Sequence, residues 1–163
     1  MRRRRALGLC AALPLVGASP PLHAAPAAPG QVVAWPEVTL LDGSRWGPEQ
    51  ARGKPVVVVF WSTTCPFCLR HNAHLEKLRQ ATASKGLQIL TVAREQEAAR
   101  VQAYLSRHGY RFAVTLDQAA MAAVLSPRKV IPLTVTVDSR GHLRQVIPGE
   151  MFEEDMLELA RIP

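Results

Sequence analysis

The pattern of apolar and polar positions divides most of the chain into buried strands and amphipathic helices. Residues 56–61 (Val-Val-Val-Val-Phe-Trp) form an uninterrupted β-branched and aromatic run, which is typical of a strand buried on both faces of a sheet. Residues 87–92 are predicted as another buried strand, and residues 133–137 alternate as a strand after Pro132. Four further segments have the apolar spacing of helices: 66–84, 97–107, 118–125 and 152–161.

Shorter strands complete the predicted order of elements. Residues 37–41 and 44–46 flank the Asp42-Gly43 turn and predict a hairpin before the first buried strand. Residues 112–116 and 143–147 are also predicted as strands. Helices that alternate with buried strands imply a mainly parallel sheet, to which a final hairpin adds antiparallel strands. The pattern therefore predicts an α/β three-layer sandwich with a mixed central sheet, helices on both faces and an N-terminal β-hairpin.

The composition is that of one globular, exported domain. The chain has 163 residues, of which 48% are hydrophobic and 20% are charged. Its start has the three parts of a secretory signal: four arginines at 2–5, an apolar stretch at 6–18 and the small-residue cleavage site Leu22-His23-Ala24. We predict cleavage after Ala24. The expected organisation is a signal peptide at 1–24, a Pro/Ala-rich flexible leader at 25–34 and a single α/β domain at 35–163.

An uncleaved membrane anchor is the minority interpretation of the N-terminal segment. Its apolar stretch covers 13 residues and is interrupted by Gly8, Pro14 and Gly17, whereas a membrane-spanning helix needs about 20 predominantly apolar residues. Lipidation at Cys10 is disfavoured, since the large Leu9 stands where lipoprotein signals have a small residue. We therefore expect export to the periplasm with a cleaved signal.

Removal of the signal changes both the charge and the cysteine count. Four of the twenty basic residues and no acidic residue lie within 1–24, so the net charge falls from +7 to +3 and nucleic-acid binding loses its main support. Cys10 also leaves, and the mature chain keeps only Cys65 and Cys68. One pair this close in sequence cannot connect distant parts of a fold. In an oxidising compartment it indicates redox chemistry.

The predicted position of the two cysteines suits thiol chemistry. A thiol attacks a disulfide as the thiolate, which the backbone N–H groups and dipole at a helix N-terminus stabilise. Cys65 stands at such a start, and Pro66 at the first helical position supports this placement, since proline has no N–H to lose there. Cys68 follows one turn later on the same side. We assign Cys65 as the nucleophile and Cys68 as the resolving thiol.

Three segments together resemble the thioredoxin superfamily. They are Phe-Trp-Ser-Thr-Thr-Cys-Pro-Phe-Cys at 60–68, Val-Ile-Pro-Leu-Thr at 130–134 and Val-Asp-Ser-Arg-Gly at 137–141. Within that superfamily the TlpA/ResA-like exported disulfide reductases match best, over roughly residues 37–161. The resemblance implies a thioredoxin-like fold and a redox-active disulfide with no metal or organic cofactor.

The resemblance also implies a substrate surface. Ile131-Pro132 should form the loop whose cis-proline faces the cysteines, with the Ile131 backbone pairing with an extended substrate strand. Pro66 and Phe67, between the cysteines, should complete that surface. The dipeptide between the cysteines influences the redox equilibrium, but Pro-Phe does not decide whether the enzyme reduces or oxidises its substrates.

Two departures from the family concern proton transfer. Thioredoxins have a buried aspartate six residues before the first cysteine, where this chain has Val59. Some ResA-like reductases have a glutamate six residues after it, where this chain has His71. With no acid at either position, we consider His71 or Glu95 as the group that takes part in proton transfer.

The function expected from these observations is reduction of disulfides in exported proteins. The resemblance implies oxidised exported proteins as partners, including apocytochromes c and copper-site assembly factors, and a membrane reductase as electron donor; we expect a monomer. The first alternative is an oxidase that donates its disulfide. The second is a copper-delivery module that uses the two thiols and one histidine. A zinc site on Cys65, Cys68, His71 and His74 is excluded. Nine helical residues span about 13.5 Å, whereas all ligands of one zinc ion lie about 2.0 to 2.3 Å from it.

Overall fold

The most apolar segment, Val56–Trp61, forms the central strand of a five-stranded sheet. The computed structural model describes residues 25–163. In chain order the elements are β1 (Val38–Thr39), β2 (Arg45–Trp46), α1 (Pro48–Ala51), β3 (Val56–Trp61), α2 (Pro66–Ala81), β4 (Gln88–Ala93), α3 (Ala98–His108), β5 (Ala113–Thr115), α4 (Gln118–Leu125), β6 (Leu133–Val137), β7 (Leu143–Pro148) and α5 (Glu153–Glu158), followed by a 3₁₀ turn at Leu159–Arg161.

The order of strands in the sheet is β5-β4-β3-β6-β7. β3 pairs in parallel with β4 and antiparallel with β6, and β7 closes the other edge antiparallel to β6. Every residue of β3 is at most 2% exposed, because strands lie on both sides of it and helices on both faces. The predicted mixed sheet in an α/β thioredoxin-like sandwich, with an N-terminal hairpin of β1 and β2, is confirmed.

Successive residues of β3 point to opposite faces of the sheet and enter two apolar clusters. The set that begins with Val57 and ends with Trp61 packs with residues of α2, α3 and α5. The set that begins with Val56 packs with α4, α1 and the hairpin. The cysteines belong to the first cluster, so the chemistry lies on the face that α2 and α3 cover.

Most predicted elements are observed with small differences at their ends. α4 and β6 have the predicted bounds, while α2 ends at Ala81, three residues early. There the Thr82 hydroxyl donates a hydrogen bond to the Leu78 carbonyl, and the chain then turns through Gly86 with a φ of 77°. α1 has only four residues and was not predicted. The last helix becomes a 3₁₀ turn after Glu158.

Residues 25–34 differ from the flexible leader that their composition predicts. Their backbone makes hydrogen bonds with the domain, from Ala27 N–H to the Val124 carbonyl and from Gly30 N–H to the Leu143 carbonyl. The Val33 side chain is 4% exposed and joins the cluster on the α4 face. Burial of Val33 and the backbone pairing therefore hold this segment against the domain. The predicted signal peptide, 1–24, lies outside the described residues.

None of the helices within residues 25–163 combines the length and the apolar character that crossing a bilayer requires.

Replacement of Val33 by alanine tests whether residues 25–34 contribute to the folded state. Loss of two buried methyl groups should lower the free energy of unfolding by roughly 1–2 kcal/mol in urea titrations. Val32→Ala is the matched control, because the neighbouring side chain is 62% exposed, and its effect should stay below about 0.5 kcal/mol. Equal effects of the two substitutions would contradict the packed arrangement.

Candidate active site

The two cysteines form a disulfide at the N-terminus of α2. Cys65 is the N-cap residue, and its Sγ accepts a hydrogen bond from the backbone N–H of Cys68 at 3.1 Å. Pro66 occupies the first turn, as the sequence predicts. Cys68 is fully buried, whereas Cys65 is partly exposed. Cys65 is thus the more accessible residue of the pair, and Cys68 lies in the interior.

The strand register brings two other predicted residues to the cysteines. Phe60 pairs with Leu133, so the Ile131-Pro132 loop lies opposite the end of β3, where the chain proceeds to Cys65. The Ile131–Pro132 peptide bond is cis, as the resemblance implies. Ile131 and Cys65 pack against the same apolar cluster. The structure therefore assembles the disulfide and this loop at one end of the sheet.

Glu95 holds the loop between β3 and Cys65. Because Trp61 pairs with Ala93 in parallel register, the residue two positions beyond Ala93 lies beside Ser62 and Thr63. Oε1 of Glu95 accepts hydrogen bonds from the Thr63 N–H at 2.6 Å, the Thr63 hydroxyl at 2.9 Å and the Ser62 hydroxyl at 2.9 Å. Three hydrogen bonds to one carboxylate oxygen fix the conformation of the loop that leads from β3 to Cys65.

His71 is fully buried and connects α2 to two other elements. Its Nδ1 accepts a hydrogen bond from the Met151 N–H at 3.1 Å. This leaves the ring proton on Nε2, which donates to the Thr134 hydroxyl at 3.1 Å. Thr134 stands two residues after Pro132, so the imidazole ties the cysteine helix to the start of β6. Its predicted role in proton transfer stays a prediction.

Burial lowers the pKa of His71 to about 4, and the neighbouring His74 acts in the same direction, while Glu150 opposes the shift. The imidazole is therefore neutral at physiological pH, in agreement with its accepted hydrogen bond at Nδ1. Protonation would put a hydrogen on Nδ1, which could then no longer accept the hydrogen bond from the Met151 N–H. Neutrality is thus a condition for the contact between α2 and the segment before α5.

Further contacts join α2 to the segment that leads into α5. His74 Nδ1 donates a hydrogen bond to the Met151 carbonyl at 3.1 Å. The two histidines therefore bind both the N–H and the carbonyl of Met151. Arg70 binds Glu150 with two hydrogen bonds, and this ion pair lowers the pKa of Glu150. The N–H of Gly149 donates to the Pro132 carbonyl at 2.8 Å. The same segment thereby supports both the cysteine helix and the cis-proline loop.

The surface around the disulfide is apolar. Phe67, between the cysteines, is 57% exposed, and Val130, which precedes Ile131, is 43% exposed. The Arg70 guanidinium lies 5.5 Å from the centre of the Phe67 ring. The exposed position of Phe67 agrees with a recognition surface, but the predicted substrate contacts of Pro66, Phe67, Ile131 and Pro132 remain predictions.

Sequence reasoning missed several side chains on the buried side of α2. Asn72 was not considered, and His74 was considered only as a ligand of the excluded zinc site. The apolar spacing of Leu75 and Leu78, extended backwards by one turn, reaches positions 71 and 72 and then Cys68. That spacing was the available signal that these polar residues are buried.

A buried strand that ends at a disulfide on a helix N-terminus, beside a cis-proline loop, defines a thiol–disulfide oxidoreductase of thioredoxin-like fold. The chain belongs to the Redoxin family, whose model matches residues 29–159.

A curated relative agrees with this class, and solved structures agree with the fold. The chain is 28% identical over 124 residues to a thiol-disulfide oxidoreductase ResA of Halalkalibacterium halodurans, with 74% of this chain and 70% of the relative covered. A thiol:disulfide interchange protein of Chlorobium tepidum superposes with a TM-score of 0.73 at 21% identity, over 84% of this chain and 97% of the other. A secreted thiol-disulfide isomerase of Corynebacterium glutamicum gives 0.70 at 19% identity, over 78% and 82%.

The lowered pKa of His71 predicts a pH-dependent stability. Between about pH 6.5 and 4 the unfolded chain binds a proton at His71 that the folded chain does not, so stability falls as the pH falls through this window. The total loss should be on the order of 3 kcal/mol. His71→Gln should be less stable at pH 7, and its unfolding free energy should depend less on pH. The measurement is urea unfolding at successive pH values.

His74→Gln is the control for this pH dependence. The substitution removes the neighbouring histidine contact to the Met151 carbonyl but leaves His71 buried. It should therefore retain most of the wild-type pH slope. The assignment would be wrong if His71→Gln kept the full slope.

Proposed function

We propose that the protein is an exported disulfide reductase that acts on other proteins through a mixed disulfide on Cys65. The observation that carries the proposal is the asymmetry of the pair: Cys65 is partly exposed at the helix N-terminus, and Cys68 is buried with its N–H directed at the Cys65 sulfur. An incoming substrate disulfide meets Cys65 first. The N–H groups of the first turn stabilise its thiolate.

The reaction proceeds in two exchanges. The Cys65 thiolate attacks one sulfur of the substrate disulfide, forms a Cys65–substrate bond and releases the other sulfur as a thiolate. Cys68 then loses its proton and attacks the Cys65 sulfur. The enzyme disulfide forms, and the second substrate sulfur leaves as a thiolate and takes up a proton. Two electrons pass to the substrate, and a membrane dithiol donor must restore the enzyme.

The substrate surface in this proposal consists of Phe67 and the Ile131-Pro132 loop. An exposed aromatic ring beside the disulfide offers apolar contact area to an unfolded or extended chain. The Ile131 backbone is the candidate for pairing with that chain. Cysteine-containing segments of exported proteins, including apocytochromes c and copper-site assembly factors, fit this description. The secreted relative of Corynebacterium glutamicum and the predicted signal peptide at 1–24 support action outside the cytoplasm.

Two other functions are distinguished from reduction by measurable properties. A disulfide donor would have the same geometry but a more stabilised Cys65 thiolate and a higher potential. A copper-delivery module would use the two thiols and one histidine, would bind copper tightly and stoichiometrically, and would lose that binding when either cysteine is replaced. Among residues 25–163, no three His, Cys, Asp or Glu side chains converge as metal ligands do. The resemblance to ResA favours the reductase.

The reduction potential tests the direction of the reaction. The mature domain equilibrated in glutathione buffers should have a potential near the roughly −270 mV of thioredoxin. A potential near the roughly −120 mV of DsbA would identify a disulfide donor instead. Cys68→Ser serves as the control, because it cannot close the pair and should show no such transition.

Trapping of the mixed disulfide tests the two cysteine roles. Cys68→Ser should accumulate a covalent complex with a disulfide-containing peptide, visible on non-reducing gels and cleaved by dithiothreitol, since no thiol is left to resolve it. Cys65→Ser should accumulate little, because the remaining Cys68 is fully buried. Equal trapping by both variants, or greater trapping by Cys65→Ser, would contradict the assignment.

A further inference from the structure

Several polar atoms are buried together between β3, α2 and α3 without a hydrogen-bond partner among residues 25–163. They are the indole N–H of Trp61, both amide atoms of Asn72, Oε2 of Glu95 and the hydroxyl of Tyr104. Asn72 and Trp61 have no exposed surface at all. We refer to these four side chains as the inner polar pocket.

The four side chains face one another across adjacent elements. The Trp61 and Tyr104 rings lie 5.0 Å apart between centroids. Burial raises the pKa of Tyr104, the Asn72 side chain opposes this rise and the Glu95 charge adds to it, so both groups influence the hydroxyl. Glu95 also binds Ser62 and Thr63, which follow Trp61 directly. The pocket therefore extends from the loop before Cys65 into the space between the two helices.

Unpaired polar atoms at this density require an explanation. Each buried group without a partner costs about 1–3 kcal/mol, and native proteins normally satisfy such groups with protein or water. A buried water binds to two to four polar partners, and the inner polar pocket supplies donors from Trp61 and Asn72 and acceptors from Asn72 and Glu95. Its chemistry is thus that of a water site.

The pocket adjoins the resolving thiol. Asn72 lies one helical turn after Cys68, and residues four apart occupy the same side of a helix. Cys68 and Trp61 are members of one buried cluster, against which Tyr104 packs. A fully buried thiol has no direct access to solvent, so its proton needs a path through the protein.

We propose that the inner polar pocket binds water that carries the proton of the Cys68 thiol to Oε2 of Glu95. Glu95 then supplies from the end of β4 the carboxylate that Val59 and His71 do not supply from β3 and α2. His71 is unsuited to this role, because both of its ring nitrogens are engaged by Met151 and Thr134.

The two oxygens of Glu95 have separate tasks. Oε1 is occupied by Ser62 and Thr63, whereas Oε2 has no hydrogen-bond partner within residues 25–163 and can accept the proton. On its other side Glu95 lines a surface pocket of about 370 Å³ with Arg94, Glu97 and Arg100, which gives the carboxylate an exit to solvent. These three charged groups, together with Tyr104 of α3, are the titratable neighbours that face Glu95.

The proton step belongs to the second exchange. In the mixed disulfide, the Cys68 S–H bond breaks and its proton passes through water to Glu95. The Cys68 thiolate forms the bond to Cys65, and the Cys65–substrate bond breaks. The substrate thiolate is protonated by solvent, and Glu95 releases its proton through the surface pocket. No electron passes to the carboxylate. The inference rests on the exchange chemistry proposed above and holds for either direction of net transfer.

A two-phase reaction of the reduced mature protein with dithiobis-nitrobenzoate separates the two exchanges. The first coloured thiolate is released when Cys65 attacks, and the second when Cys68 resolves the mixed disulfide. Glu95→Gln keeps an oxygen for the Thr63 N–H but cannot accept the proton. It should slow the second phase at least about tenfold at pH 7, since general bases contribute about 10² to 10⁴. The first phase should stay within about twofold.

Matched variants complete the test. Glu154→Gln makes the same chemical change at an exposed position on α5, outside both pockets, and should leave both phases unchanged. Tyr104→Phe removes one hydroxyl from the inner polar pocket and should slow only the second phase, by several-fold. The wild-type second phase should also be slower in deuterated water, and this isotope effect should change in both pocket variants. Thermal unfolding checks that each variant is folded.

The outcomes separate this inference from the proposed function. A second phase of Glu95→Gln within about twofold of the wild type, or equal slowing of both phases, would show that Glu95 only supports the loop. Absence of both phases in the wild-type protein would instead overturn the exchange chemistry itself. If Glu95→Gln does not fold, the second phase and isotope effect of Tyr104→Phe decide the question by the same criteria.

Discussion

The complete burial of β3 is the constraint on which the site depends. As an extended strand, six consecutive apolar residues are all buried only at the centre of a sheet, with a strand on each side and helices on both faces. A central strand has two neighbours, and each contributes a segment at its end: Glu95 follows β4, and Ile131-Pro132 precedes β6. Cys65 emerges between them. The geometry of the disulfide is thus a consequence of where the most apolar segment must lie.

The second determinant is the attachment of α2 to the opposite end of the chain. A helix that carries a reactive pair at its N-terminus must keep its orientation while the disulfide opens and closes. Here a neutral imidazole, His71, joins it to β6 and to the backbone of Met151, and the Arg70–Glu150 ion pair lies on the exposed side of the same contact. The buried hydrogen bonds of the neutral imidazole fix the orientation of α2, whereas the exposed ion pair contributes little to stability.

The sequence predicted the elements whose periodicity is unambiguous. β3, α4 and β6 have apolar patterns that agree with their final environment. The two cysteines could be placed because the strand ends just before Cys65 and Pro66 marks the first helical position. The burial of His71 and Asn72 was missed because polar side chains interrupt the apolar stripe of α2 where it packs most tightly. Residues 25–34 were misjudged for the opposite reason: their small residues suggest mobility, but backbone pairing and one valine hold them in place. Such features depend on contacts between distant segments, which periodicity does not encode.

The apolar character of Val59 has a consequence for how this enzyme can change over evolution. An ionisable group in a central strand takes part in both the core and the chemistry, so each substitution there alters stability as well as redox behaviour. In this chain the ionisable side chains near the cysteines come from α2, from α3 and from the loop after β4, while β3 has none. Selection on the redox step can therefore act at positions outside the central strand. The stability of the fold and the reactivity of the cysteines can therefore change independently of each other.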